Sequence, residues 1–259
     1  MSSYIKQIFS VRTRVVLLCA VSVFAIASCA SSGGGGGGGG SVDDGYKWAR
    51  VYLVDQGPRV GESGDFWDGL EGTVVDKRPW DGTSADATGI FKLAADGSNL
   101  YVRAEIKDAA PQIRAEDMPA SDAWNGTSIQ VFFGTITKRH AEYDAGDNGI
   151  SMWVIPDETS ENGLKLVAAK GRVLNERQFK GAVVEWVNNA SYIVEASFPL
   201  EATLGISKPF KAGQKFRTEF RINHAKHGEP RTVIVNWRTS TDDAWKDPNT
   251  WSDGIVEAK

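Results

Sequence analysis

Two tryptophans sit among residues that offer a buried ring little apolar company. Trp124 lies in Ser121-Asp-Ala-Trp124-Asn-Gly-Thr127 and Trp245 in Asp242-Asp-Ala-Trp245-Lys-Asp-Pro248. An indole in such surroundings has two uses. It stacks on the C–H-rich face of a sugar while neighbouring polar groups take the hydroxyls, or it plugs one end of a folded domain. Each stacking contact is worth roughly 0.5–1.5 kcal/mol beyond burial, by analogy with aromatic pairs. Two rings on one sugar then imply micromolar to millimolar binding, about −4 to −8 kcal/mol.

Other candidate chemistry is thin. His224 and His227 fall where a strand run enters a Gly/Pro-containing loop, and no third ligand at metal spacing follows. They read as solvated loop histidines. Glu116-Asp117 and Asp242-Asp243 are adjacent in sequence, so they do not face each other as a glycosidase acid and base must; they read as solvated loop charges. There is no Gly-x-Ser-x-Gly elbow and no phosphate-cradling loop. Nothing calls for catalysis, and the expectation is a binding protein that is not an enzyme.

The elements that must carry these rings are short β runs: Tyr46–Val54, Ile90–Ala94, Leu100–Ile106, Ser128–Phe133, Gly149–Ile155, Leu164–Ala169, Ala182–Val187, Tyr192–Phe198, Phe216–Asn223 and Thr232–Trp237. Leu100, Val102, Ala104 and Ile106 alternate with Tyr101, Arg103 and Glu105, the period of a half-buried strand. Asp96-Gly97, Asp147-Asn148-Gly149, Asn162-Gly163 and Asn188-Asn189 supply turn chemistry between runs. No helical period persists for a dozen residues. The pattern predicts an all-β fold, an antiparallel, jelly-roll-like β-sandwich forming a single domain. Trp48, Trp153, Trp186 and Trp237 fall within strand runs and read as core, whereas Trp67 and Trp80 are open to either role.

Residues 1–28 read as a signal peptide. Lys6, Arg12 and Arg14 precede the apolar stretch Val15–Ala27, which is short for a membrane span. Ile26-Ala27-Ser28-Cys29 resembles the bacterial lipobox, so Cys29 is the expected lipidation site on an exported, membrane-anchored protein of the bacterial cell envelope. Processing there also removes Cys19, and no disulfide supports the domain. Residues 29–41 form the lipidated cysteine and a tether containing Gly33–Gly40. A coil of that length reaches roughly 20 Å. Residues 42–259 then form the folded part. Losing the signal peptide's three cations and no acids takes the net charge from −4 to −7. An acidic chain without a Lys/Arg cluster argues against nucleic acid as a partner. The membrane is reached through the lipid.

Four ordered segments carry a family resemblance: Leu100-Tyr-Val-Arg-Ala-Glu-Ile-Lys-Asp108, Trp124-Asn-Gly-Thr-Ser-Ile-Gln-Val-Phe132, Tyr192-Ile-Val-Glu-Ala196, and Trp237 followed by Trp245-Lys-Asp-Pro248. From about Asp65 onward the chain resembles family 9 carbohydrate-binding modules. The resemblance implies a β-sandwich in which two tryptophans, here Trp124 and Trp245, clamp a free mono- or oligosaccharide or a polysaccharide chain end. The polar positions depart from the family's best-known module. Gln130 replaces a glutamate, Ser151 an arginine, Arg221 a glutamine and Asp242 an asparagine. On this reading the site keeps one cation and one anion with their places exchanged, which alters the hydroxyl pattern it reads.

The same fold in other proteins holds haem on methionine or histidine. Met118, Met152, His140, His224 and His227 are the residues that could do so here. A surface lipoprotein with no ligand is a third reading. No cofactor is expected; structural calcium occurs in some sugar-binding relatives, but no loop shows an assignable ligand set.

Overall fold

The computed structural model describes residues 48–77, 84–108, 124–154, 164–169, 172–175, 177–187, 191–225 and 231–259. The expectations for the signal peptide, Cys29, the glycine tether, Trp80, Glu116-Asp117, Met118, Asn162-Gly163, Asn188-Asn189 and His227 fall outside these residues. So do the side chains of Trp153 and Trp186.

Among the described residues thirteen strands are present: β1 (Ala49–Leu53), β2 (Thr73–Lys77), β3 (Ser84–Ala95), β4 (Asn99–Asp108), β5 (Ser128–Gly134), β6 (Asp147–Val154), β7 (Leu164–Ala169), β8 (Arg172–Val173), β9 (Lys180–Val187), β10 (Ser191–Pro199), β11 (Lys215–Ala225), β12 (Arg231–Asn236) and β13 (Ser252–Ala258). The only helical pieces among the described residues are short 3₁₀ turns. The strands pair in one continuous order, β8-β7-β6-β5-β11-β12-β2-β3-β4-β10-β9, whose two halves, β8 to β12 and β2 to β9, form the two sheets of the sandwich. They meet where Asn236 of β12 pairs with Lys77 of β2, and again where β13 bridges β11 and β1.

Strand alternation builds the core. Leu100, Val102, Ala104 and Ile106 of β4 face inward with Val194, Ala196 and Phe198 of β10. Ile129, Val131 and Phe133 of β5 and Phe216, Phe220 and Ile222 of β11 face them from the other sheet. Phe91 stacks on Phe220 at 4.9 Å, closing the gap between sheets. Burying each such side chain contributes about 1.5–3 kcal/mol, so the interior holds the fold without a disulfide.

The all-β sandwich is as expected, and three other expectations need correction. The sandwich is mainly antiparallel, with β1 running parallel to both β13 and β3. An apolar/polar alternation reads the same in either direction, so it carries no strand sense. Asp147-Asn148-Gly149 is not a turn. It opens β6, because Asn148 Nδ2 donates to the Leu204 carbonyl and Asp147 pairs with His140. His224 is not a solvated loop histidine. β11 continues through Ala225, burying His224 to 3% exposure with its Nδ1 2.8 Å from an Asp108 carboxylate oxygen. Trp48, expected in the core, is 40% exposed just before β1, with the Lys215 ammonium 4.8 Å above its ring. Trp67 is buried and Trp237 packs half-buried on the core.

Candidate functional site

β11 is buried on both faces. Its inward residues are mostly apolar, with Thr218 and His224 among them, and Arg217, Glu219, Arg221 and Asn223 on the outward face are also buried. Buried polar groups at period two must be hydrogen-bonded to be tolerated, so this face has to be a network. Register supplies it. Ser151 of β6 pairs with Gln130 of β5, Gln130 with Arg221 of β11, and Arg221 with Asn236 of β12. Directly paired residues share a face, so these four side chains form one row across four strands.

The row is wired from end to end. Gln130 Nε2 donates to Ser151 Oγ at 2.8 Å, and Gln130 Oε1 accepts from Asn223 Nδ2 at 3.2 Å. Asn223 Oδ1 accepts from Arg231 Nη1 at 3.2 Å. Arg231 Nη2 donates to Asp242 Oδ2 at 2.9 Å, while Arg221 Nη1 donates to Asp242 Oδ1 at 2.6 Å. Arg221 Nε completes the path on Asn236 Oδ1 at 2.9 Å. Burial pushes the Arg221 guanidinium below its usual range; Asp242 opposes this and Arg231 adds to it. Arginine remains charged at neutral pH even so.

The rings stand on separate loops, each pinned to the sheet. The Trp124 loop is tied to β12 because Asn125 Oδ1 accepts from the Arg231 backbone N–H at 3.0 Å. The Arg231 guanidinium lies 4.7 Å from the Trp124 ring centroid, which fixes the indole through one face. The Trp245 loop has three anchors. Glu219, fully buried, accepts from the backbone N–H groups of Trp237, Arg238 and Thr239 and from the Thr239 hydroxyl. Burial pushes its carboxyl above the usual range, and these donors pull it back. Asn236 Nδ2 donates to the Thr239 and Thr241 carbonyls. Trp251 packs on Phe132 and Tyr143, and its indole N–H donates to Ala244 O at 2.9 Å. Ala244 immediately precedes Trp245, so a buried tryptophan positions an exposed one.

The result is a cavity of about 310 Å³ lined by Trp124, Gln130, Arg221, Arg231, Asp242 and Trp245. That is the small end of ligand-site volumes, which suits a compact ligand. Trp124 is 40% exposed and Trp245 59% exposed, so neither plugs the sandwich. A larger cleft of about 880 Å³ lies elsewhere, by Asp96, Tyr101, Arg177 and Ser197. There Tyr101 is buried with its hydroxyl given to Asp96, and Phe179 packs on the core. It therefore lacks the pair of open rings.

The family model for carbohydrate family 9 binding domain-like sequences matches residues 61–257, most of the chain. The chain belongs to that family. Family 9 domains are binding modules, a class without catalytic chemistry of its own. The chain is 23% identical over 189 residues to endo-1,4-beta-xylanase A of Thermotoga neapolitana, a match covering 73% of this chain and 16% of that enzyme. The fold resembles a family 9 module from Caldicellulosiruptor kristjanssonii solved with cellotriose, with TM-score 0.60 and 21% identity over 81% of this chain and 94% of that one. A structure from the same organism with glucose matches at TM-score 0.60 and 22% identity, covering 81% and 96%.

Within this family 9 fold, five of the six residues singled out from sequence line one cavity. Ser151 stands behind them and orients Gln130. Asp242 departs from its reading as a solvated loop charge, because it bridges two guanidiniums. Beside the cation and anion expected with exchanged places, Arg221 and Asp242, the lining holds a second cation, Arg231. Arg231 had no sequence signal, because the groups it meets, Trp124 and Asn125 among them, lie far away in the chain. Glu219 and Asn223 had one: they flank Arg221 at period two. Trp251 escaped because its polar neighbours hide the packing partners Phe132 and Tyr143.

The haem reading gains no geometry. Met152 lies in the core beside Ile129, while His140 and His224 are each committed to a carboxylate. Among the described residues no group of three or more His, Cys, Asp or Glu is gathered for a metal.

Proposed function

We propose that this chain binds carbohydrate without catalysis, holding a terminal sugar or short oligosaccharide between Trp124 and Trp245. The observation that carries the reading is that both exposed rings line one small cavity with a hydrogen-bonded polar floor. Stacking on the rings supplies affinity, and Gln130, Arg221, Arg231 and Asp242 orient the ring's substituents, with Ser151 steadying Gln130. The module is carried on an exported lipoprotein acylated at Cys29, with residues 29–41 as its tether and 42–259 as its binding domain.

Titrating the chain with a sugar panel, by calorimetry and tryptophan fluorescence, tests this. Saturable micromolar to millimolar binding is expected. Trp124→Ala and Trp245→Ala should each weaken it about tenfold or more, since losing a ring removes stacking and burial together. Binding that survives both substitutions, or no binding across the panel, would overturn the reading. Metabolic labelling with a radioactive fatty acid should mark the parent and not Cys29→Ser.

A further inference from the structure

Every side-chain carbonyl and carboxylate oxygen of the polar floor already accepts a hydrogen bond. Gln130, Asn223 and Asn236 each spend their carbonyl oxygen on a neighbour inside the network. Both oxygens of Asp242 already receive a guanidinium N–H. Arg221 Nη2 has no hydrogen-bond partner but is closed to solvent, in a residue 1% exposed, whereas the Arg231 guanidinium on the same lining is 14% exposed. The charges point the same way. Among the described residues the cavity lining holds two guanidiniums and one carboxylate, a net charge of one positive. At its rim Lys246 and Asp243 neutralise each other. A carboxylate only accepts, and its planar pair of oxygens fits a guanidinium fork.

We propose that the cavity is specific for an acidic sugar, a uronate whose ring stacks on the tryptophans and whose carboxylate meets the Arg231 guanidinium, with the buried Arg221 charge behind it. This rests on the sugar-binding reading and sets the chain apart from the relatives solved with cellotriose and glucose. Asp242 then has a definite role. It holds both guanidiniums in place and so presents Arg231 to the ligand.

Calorimetry on the full chain decides it, using glucuronate and galacturonate, each against its methyl ester and the neutral hexose. The ester keeps the ring and removes the charge. The acid should bind roughly 10–100-fold tighter than its ester, the effect of a hydrogen bond to a charged partner, and the advantage should shrink as salt rises. Asp242→Asn should widen the acid-to-ester ratio and Arg231→Gln should bring it towards one. If either variant fails to fold, the ester comparison on the parent still decides. An ester or neutral hexose that binds as tightly as the acid overturns the proposal and leaves sugar binding intact. Failure of every sugar to bind overturns the underlying reading instead.

Discussion

Glu219 never touches the cavity, yet the position of Trp245 should depend on it. Replacing it with alanine deletes the acceptor shared by the backbone N–H groups of Trp237, Arg238 and Thr239. Trp237 N–H keeps the Phe220 carbonyl at 3.0 Å, and the Thr239 hydroxyl keeps the Thr250 carbonyl at 2.9 Å. The Arg238 and Thr239 amides lose their carboxylate, at about 1–3 kcal/mol each. The expected destabilisation is therefore about 2–6 kcal/mol, a large part of a typical domain's stability. Glu219→Gln retains one acceptor oxygen and turns an amide donor towards other donors, so its cost should fall between parent and alanine. Urea unfolding followed by circular dichroism measures the stability. Sugar titration under native conditions measures whether the loop still presents Trp245, and affinity should drop along with stability. An alanine variant that matches the parent in both would refute the idea that this carboxylate holds the 237–245 loop.

Three further outcomes follow from the same geometry. Trp251→Ala should cost about 3–5 kcal/mol as a buried aromatic truncation, and should weaken sugar binding although Trp251 lies outside the cavity; unchanged affinity in the folded variant would separate the two tryptophans. Gly134→Ala should destabilise by about 1–3 kcal/mol through overpacking, because a Cβ there would lie 2.2 Å from Asp147 Oδ1 and 3.0 Å from the Trp251 ring; a neutral melt would contradict it. The hydrogen bond to Asp147, then that to the Lys138 carbonyl, raises the His140 pKa above 6.5. Its contribution is therefore complete below about 6.5 and is lost as pH climbs through the raised value. The melting-temperature gap between the parent and His140→Asn should be widest in mild acid and close in alkali; a gap constant with pH would count against the pair.

Much of the architecture was legible because strand periodicity was strong where both sheets face the core, as in Leu100–Ile106 and Ser128–Phe133. β2, β8 and β13 were not. They are short or carry Asp and Gly, and β13 is held by pairing with β1 and β11, which no local pattern records. In the site, the two rings were visible through their polar surroundings and Gln130, Ser151, Arg221 and Asp242 through family resemblance. Arg231 was invisible because its role comes from a contact with Trp124, 107 positions earlier in the chain. His224 was misjudged for a related reason: its partner Asp108 sits on a distant strand.

Each head of the polar row stands on a backbone whose neighbouring residues are fixed in the interior: Ile129 and Val131 around Gln130, Phe220 and Ile222 around Arg221, Ile150 and Met152 around Ser151. The heads are therefore offered at the pitch of the strands, about 4.8 Å. Sliding any strand by one residue would turn its head inward and send an aliphatic chain out. New ligand preferences can arise by swapping a head or re-angling a loop, whereas the spacing between heads is a ruler inherited from the hydrophobic interior.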